Sequence, residues 1–194
     1  MNAMIVKGSL AEVAQQNNGA LIAPPVAVVL VDISWSMDAD DAQDERGRPA
    51  TRWAAAKAAL ERLQGEMPGQ VALIAFGDTA VMCPDGVLPP TLGTTRLHEA
   101  LAMARQADSG SMRFVVISDG LPDDSDAAMA EARRFTGAVD CVYVGTDCDG
   151  ERFLKRMAQA TGGQFHRDAS GLRLLDQTVR LMLAAGEGSQ PISL

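Results

Sequence analysis

Two stretches of the chain are apolar without a break, Val26 to Val31 and Val71 to Phe76. Runs of this length, closed off by turn residues, predict strands buried on both faces of a sheet. Phe114–Ser118 and Val139–Val144 are expected to be further strands, with a short one near Gln164–His166. Between the strands the period changes to that of a helix. Thr51 is an N-cap, followed by Trp53, Ala56, Leu60 and Leu63 on one face. Further helices are predicted over Arg96–Gln106, Ser125–Phe135, Glu151–Ala160 and Leu172–Ala184, the last with an apolar stripe of Leu172, Leu175, Val179, Met182 and Leu183. Near the start, Ser9 and Glu12 have capping-box spacing and predict a short helix over Leu10–Gln16, stopped by Asn17-Asn18-Gly19. After Phe76, the pair Gly77-Asp78 leads into Thr79–Cys83. This is a hairpin signal that makes the third strand antiparallel and places it at an edge.

Strands alternating with helices predict an α/β fold: a three-layer αβα, doubly wound, mostly parallel sheet. Counted along the chain, the expected strand order is 3-2-1-4-5-6. The expected organisation is an N-terminal arm with a short helix (1–24), one domain (25–185) and a flexible tail (186–194). Strands 1 and 4 are then neighbours whose following helices go to opposite faces, a switch point where such sheets place their ligands.

The formal net charge is −8 over 194 residues, which speaks against a nucleic-acid or anionic-membrane surface and suits cation binding. No apolar run approaches the length of a membrane span, and residues 1–19 lack the apolar stretch of a signal peptide. Cys83, Cys141 and Cys148 are odd in number and without metal-site spacing, as expected of reduced thiols. The expected location is cytoplasmic.

The chemistry gathers at one end of the sheet. Asp32-Ile33-Ser34-Trp35-Ser36-Met37 follows the first strand, Ser118-Asp119-Gly120 follows the fourth, and Gly93-Thr94-Thr95-Arg96-Leu97 opens the second helix. Two carboxylates and several hydroxyls are all hard oxygen donors, and they point to Mg²⁺, with Mn²⁺ or Ca²⁺ as substitutes. The surrounding loops are acidic, with Asp38, Asp40, Asp41, Asp44 and Glu45 in the first alone. Turn chemistry accounts for many such residues. A negative field that selects a partner with basic surroundings is the alternative. Arg46, Arg48 and Arg52 are expected to be solvated charges.

These residues resemble a von Willebrand factor A domain with its metal-ion-dependent adhesion site (MIDAS), whose pattern is D-x-S-x-S, then a distant Thr, then a distant Asp. Asp32, Ser34 and Ser36 match the first part, Thr95 the threonine and Asp119 the last position. The resemblance covers about Pro25 to Ala184. It implies a Rossmann-like fold, a metal held by these five residues, and no catalysis. The serines and the threonine would contact the ion, the aspartates would act largely through water, and an Asp or Glu of a protein partner would complete the shell. Trp35 and Thr94 stand where glycine is frequent in that family, and Thr94 remains an alternative ligand to Thr95. Trp35, Met37, Thr94 and Gly120 are expected to form the partner-binding rim. Stand-alone members of the family resemble subunits that work beside AAA+ ATPases or in stress and phage-defence assemblies. Two alternatives stay open: a Mg²⁺-dependent phosphatase of the haloacid-dehalogenase type, although Ser34 stands where its second Asp belongs, and a scaffold with a purely structural metal.

Overall fold

A computed structural model describes residues 4–43 and 46–167. Their order is α1 (Leu10–Gln16), β1 (Ala27–Asp32), a single 3₁₀ turn (Trp35–Asp38), β2 (Ala42–Gln43), β3 (Pro49–Ala50), α2 (Arg52–Glu66), β4 (Val71–Phe76), β5 (Ala80–Met82), α3 (Leu97–Ala104), a second 3₁₀ turn (Arg105–Ala107), β6 (Arg113–Ser118), α4 (Ser125–Ala132), β7 (Val139–Tyr143), α5 (Cys148–Thr161) and β8 (Phe165–Arg167). The helix expected over 172–184 and the tail after it lie outside the described residues.

Six strands form one sheet in the order β5-β4-β1-β6-β7-β8. With the small β2–β3 hairpin set aside, this is the predicted 3-2-1-4-5-6. β1 is buried at all six positions and pairs in parallel with β4 on one side and β6 on the other. β5 runs antiparallel to β4 at the edge, with Ile74 opposite Met82. The pleat divides the core. Ala27, Val29 and Val31 pack with Ala56, Leu60 and Leu63 of α2, whereas Val28 and Leu30 pack with residues of α3, α4 and α5. The helices that follow β1 and β6 therefore sit on opposite faces, which opens the crevice between these two strands.

Several boundaries differ from the pattern. α4 stops at Ala132, and Phe135 leaves the helix to meet Phe114 edge-on, with ring centroids 4.7 Å apart. α5 begins one turn earlier than expected, because the Asp147 carboxylate accepts from the N–H groups of Asp149 and Gly150. Gly150 is needed inside that first turn, since a Cβ there would lie 2.6 Å from the carbonyl carbon of Gly120. The β2–β3 hairpin and the turn at Trp35–Asp38 are too short to show in a periodicity.

The N-terminal segment is clamped to the domain. Ser9 caps α1, and the Glu12 carboxylate accepts from the Gly8 N–H rather than from that of Ser9. Gly8 has φ +81°, and a Cβ on it would sit 1.9 Å from the carbonyl oxygen of Gln64 in α2. Gly8→Ala is expected to destabilise the protein by about 1–3 kcal/mol in urea denaturation. An unchanged midpoint would mean that the clamp contributes nothing to stability.

Candidate metal centre

Asp32 ends β1 because its side chain takes over backbone bonding. Oδ1 accepts from the Ser34 N–H at 2.8 Å, turning the chain out of the sheet. Oδ2 accepts from Ser118 Oγ at 2.6 Å, across the crevice from the end of β6. Ser34 precedes the 3₁₀ turn without capping it, so its hydroxyl is left to meet Ser36 Oγ at 3.0 Å. Ser36 Oγ in turn donates to Asp119 Oδ1 at 2.7 Å. Ser34, Ser36 and Asp119 thus form a run of oxygen atoms over the switch point, with Asp32 held beside it through the Ser34 N–H.

Thr95 reaches this end of the sheet through the backbone. Its N–H donates to Asp123 Oδ1, and its carbonyl accepts from the N–H groups of Leu97 and Asp123. The neighbouring strip is laced to the first loop, with the Leu92 N–H on Ile33 O and the Trp35 N–H on Gly93 O. Thr95 is buried, as are Asp32, Ser34 and Asp119. Thr94 is exposed and its N–H is held by Asp78 Oδ1.

The rim differs in part from the sequence reading. Trp35 is 66% exposed, and Gly120 is half-buried. Met37, expected on the rim, is 0% exposed and packs in the core beside Val31 and Leu60. The tight 3₁₀ turn sends Trp35 outward and Met37 inward. Leu92 (56%) and Leu121 (46%) are exposed apolar residues on the Gly93–Thr95 and Asp119–Gly120 loops, which the motif did not mark.

A larger correction concerns Arg52. It is no solvated charge but a buried one. Its Nε and Nη2 grip both carboxylate oxygens of Asp41, and Nη1 donates to Asp119 Oδ2 at 2.7 Å. A cation in the first turn of a helix opposes the helix dipole, and here two aspartates offset that cost. The signal was a basic residue directly after the Thr51 cap, where an acid is the usual choice. Arg46 and Arg48 are exposed. Burial pushes the Asp32 carboxyl up to about 6, with the nearby Asp119 charge adding to it against the hydrogen bonds from Ser118 and Ser34. The guanidinium of Arg52 holds Asp41 below the usual carboxylate range. Among the thiols, Cys141 is pushed well up by burial in the core, whereas Cys148 is exposed at the start of α5.

The donor set fits a small hard cation. Ser34 Oγ and Ser36 Oγ are 3.0 Å apart, close to the spacing of adjacent corners in an octahedron with ligands at about 2.1 Å. Among the described residues no three His, Cys, Asp or Glu side chains converge into a metal-binding cluster. A cation here would therefore rely on hydroxyls supplemented by Asp32 and Asp119, and soft-metal chemistry has no ligands. Among the described residues no helix is long and apolar enough to cross a membrane.

No protein-family model and no curated protein matches the sequence. Solved structures do match in fold. An aerotolerance-related membrane protein from Bacteroides fragilis superposes with a TM-score of 0.66 at 19% identity, over 81% of this chain and 98% of its own. A von Willebrand factor type A protein from Catenulispora acidiphila gives 0.59 at 19% identity, over 86% of this chain and 43% of its own. The SpRpn10 VWA domain gives 0.57 at 15% identity, over 87% of this chain and all of its own. The six-stranded order, the antiparallel edge strand and these superpositions together make the fold of this chain that of the von Willebrand factor A domains.

Proposed function

We propose that this chain is a protein-interaction module that holds a divalent cation, Mg²⁺ first, with Asp32, Ser34, Ser36, Thr95 and Asp119, and that an Asp or Glu of a protein partner completes the shell. The observation that carries the reading is the run Ser34 Oγ–Ser36 Oγ–Asp119 Oδ1 beside buried Asp32, ringed by exposed Trp35, Leu92 and Leu121. Burial of Thr95 and exposure of Thr94 favour Thr95 as the fifth donor.

Charge is compatible with the reading. Arg52 is shared between buried Asp119 and the partly exposed Asp41. With both aspartates of Arg52 counted, a divalent ion beside Asp32 would leave the site close to neutral, so local charge does not oppose the cation. Hydroxyl ligands would keep such an ion electrophilic, and desolvation by the apolar rim would strengthen its bond to a partner's carboxylate. The rim side chains are suited to cover the contact and exclude water. This is a binding function, and we assign no catalytic residue. A place beside an AAA+ ATPase or in a stress or phage-defence assembly rests on the sequence resemblance.

Titration calorimetry with Mg²⁺ is expected to give saturable one-site binding that disappears in Ser34→Ala/Ser36→Ala. A partner captured by the purified chain in Mg²⁺ is expected to be released by EDTA and missed by the double variant. Capture that is equally strong in Mg²⁺ and EDTA would end the reading.

A further inference from the structure

Away from the oxygen run, the exposed faces of α4 and α5 border a groove that shares Leu121 with the rim described above. One cavity of about 460 Å³ is lined by Leu121, Arg152 and Lys155 among others, and a second of about 350 Å³ by Met129 and Arg133. Arg156 borders both, so the two read as one channel along the helix pair. Its upper end lies at Leu121, two residues past Asp119, where Gly150 of α5 packs on the backbone of Gly120 and Leu121. The groove therefore begins where the rim ends.

Its charge is opposite to that of the chain. The protein carries −8 overall, yet Arg133, Arg152, Lys155 and Arg156 line this groove against Asp126 and Asp149. Asp149 is already engaged by Arg152 at 2.5 Å. Among the described residues, Arg133, Lys155 and Arg156 meet no carboxylate, and all three are exposed. Among the described residues, exposed Arg96, Arg134 and Arg167 are by contrast paired with Glu99, Glu131 and Glu151. Unpaired cations over an apolar floor of Leu121 and Met129 suit a ligand that alternates acidic and apolar side chains.

We infer that the α4–α5 groove is a docking site for an acidic, apolar-spaced peptide segment of the protein partner, the stretch that continues from the carboxylate placed at the metal. The metal centre fixes one acid, and the groove reads the segment beside it. The inference rests on the proposed function for the identity of the partner, but the groove's own affinity for such a segment does not depend on the cation.

The probe is a short fluorescein-labelled peptide of alternating Glu and Leu, titrated against the full chain by anisotropy in Mg²⁺ and in EDTA, with amide shifts mapping the contact. Binding in EDTA is expected, with shifts confined to α4, α5 and the Leu121 loop. Arg133→Glu/Lys155→Glu/Arg156→Glu is expected to weaken it at least about tenfold. These are exposed positions, and circular dichroism checks that the variant folds. Mg²⁺ is expected to tighten binding to the wild type and not to Ser34→Ala/Ser36→Ala. If charge reversal leaves affinity unchanged in EDTA, the groove proposal fails, whatever Mg²⁺ does. If charge reversal acts but Mg²⁺ and the serine variant make no difference, the groove stands and the metal reading fails. Equal binding of a Lys-Leu peptide, or preference for a single-stranded oligonucleotide over the acidic peptide, would also overturn the proposal.

Discussion

Arg52→Leu is expected to cost the metal-free protein about 3–5 kcal/mol, the largest loss of any single exchange at this end of the sheet. The size follows from what the arginine leaves behind. The Asp119 side chain is fully buried, and its Oδ2 is satisfied by Arg52 Nη1 at 2.7 Å. Without the guanidinium that oxygen has no donor, and Asp119 faces the neighbouring charge of Asp32 with nothing to balance it. Removing one partner of a buried ion pair typically costs about this much, because the remaining charge stays out of water. The bidentate hold on Asp41 is lost as well, but that carboxylate is 42% exposed and adds little. The companion expectation concerns the cation. With the competing positive charge gone, Mg²⁺ should bind more tightly and restore part of the lost stability. The rise in melting temperature on adding Mg²⁺ is then larger for Arg52→Leu than for the wild type. Thermal unfolding in EDTA and in Mg²⁺ checks both points. A loss below about 1 kcal/mol, or an Mg²⁺ shift no larger than in the wild type, would show that Arg52 is not the counter-charge of this site.

Arg52 also marks where sequence reasoning stops. The strands of the switch point were readable because burial on both faces demands unbroken apolar runs, and β4 falls on the predicted Val71–Phe76. α1 was readable to the residue because Ser9 caps it. The strand order followed from handedness and the Gly77-Asp78 hairpin. Asp32 and Asp119 could be placed at one end of the sheet because strand ends are fixed by the same runs. The side-chain details were not legible. Whether Arg52 faces water or Asp119 depends on how the loop carrying Asp41 folds back over α2, and a two-strand hairpin has no periodicity to read. Met37 and Trp35 are both large and apolar next to a serine, and only the 3₁₀ turn separates the buried one from the exposed one. Gly150 looks like a turn residue until the approach of Gly120 explains it.

The acid beside Arg52's partner behaves in the opposite sense. Asp32→Asn is expected to stabilise the metal-free protein by about 1–3 kcal/mol at neutral pH while abolishing Mg²⁺ binding. Burial raises the Asp32 carboxyl from 3.8 to about 6. Between these values the folded state holds a proton that the unfolded state has released, so stability falls as pH rises through the window and stays low above it. At neutral pH the ionised carboxylate opposes folding by about 3 kcal/mol, at about 1.4 kcal/mol for each tenfold change in its ionisation equilibrium. Asparagine avoids that cost and keeps both partners, since its Oδ1 can accept from the Ser34 N–H and its Nδ2 can donate to Ser118 Oγ. A divalent cation reverses the balance, because it favours the ionised carboxylate and competes with the proton. Wild-type Mg²⁺ affinity should therefore rise with pH through about 6. Melting curves are expected to cross: the variant is more stable in EDTA, by about 2–4 °C for each kcal/mol, and only the wild type gains stability from Mg²⁺. A variant less stable than the wild type in EDTA would show that buried Asp32 is not strained. An undiminished Mg²⁺ shift in the variant would remove Asp32 from the ligand set. Either result would separate the two demands that this position reconciles, a buried strand end and a negative charge.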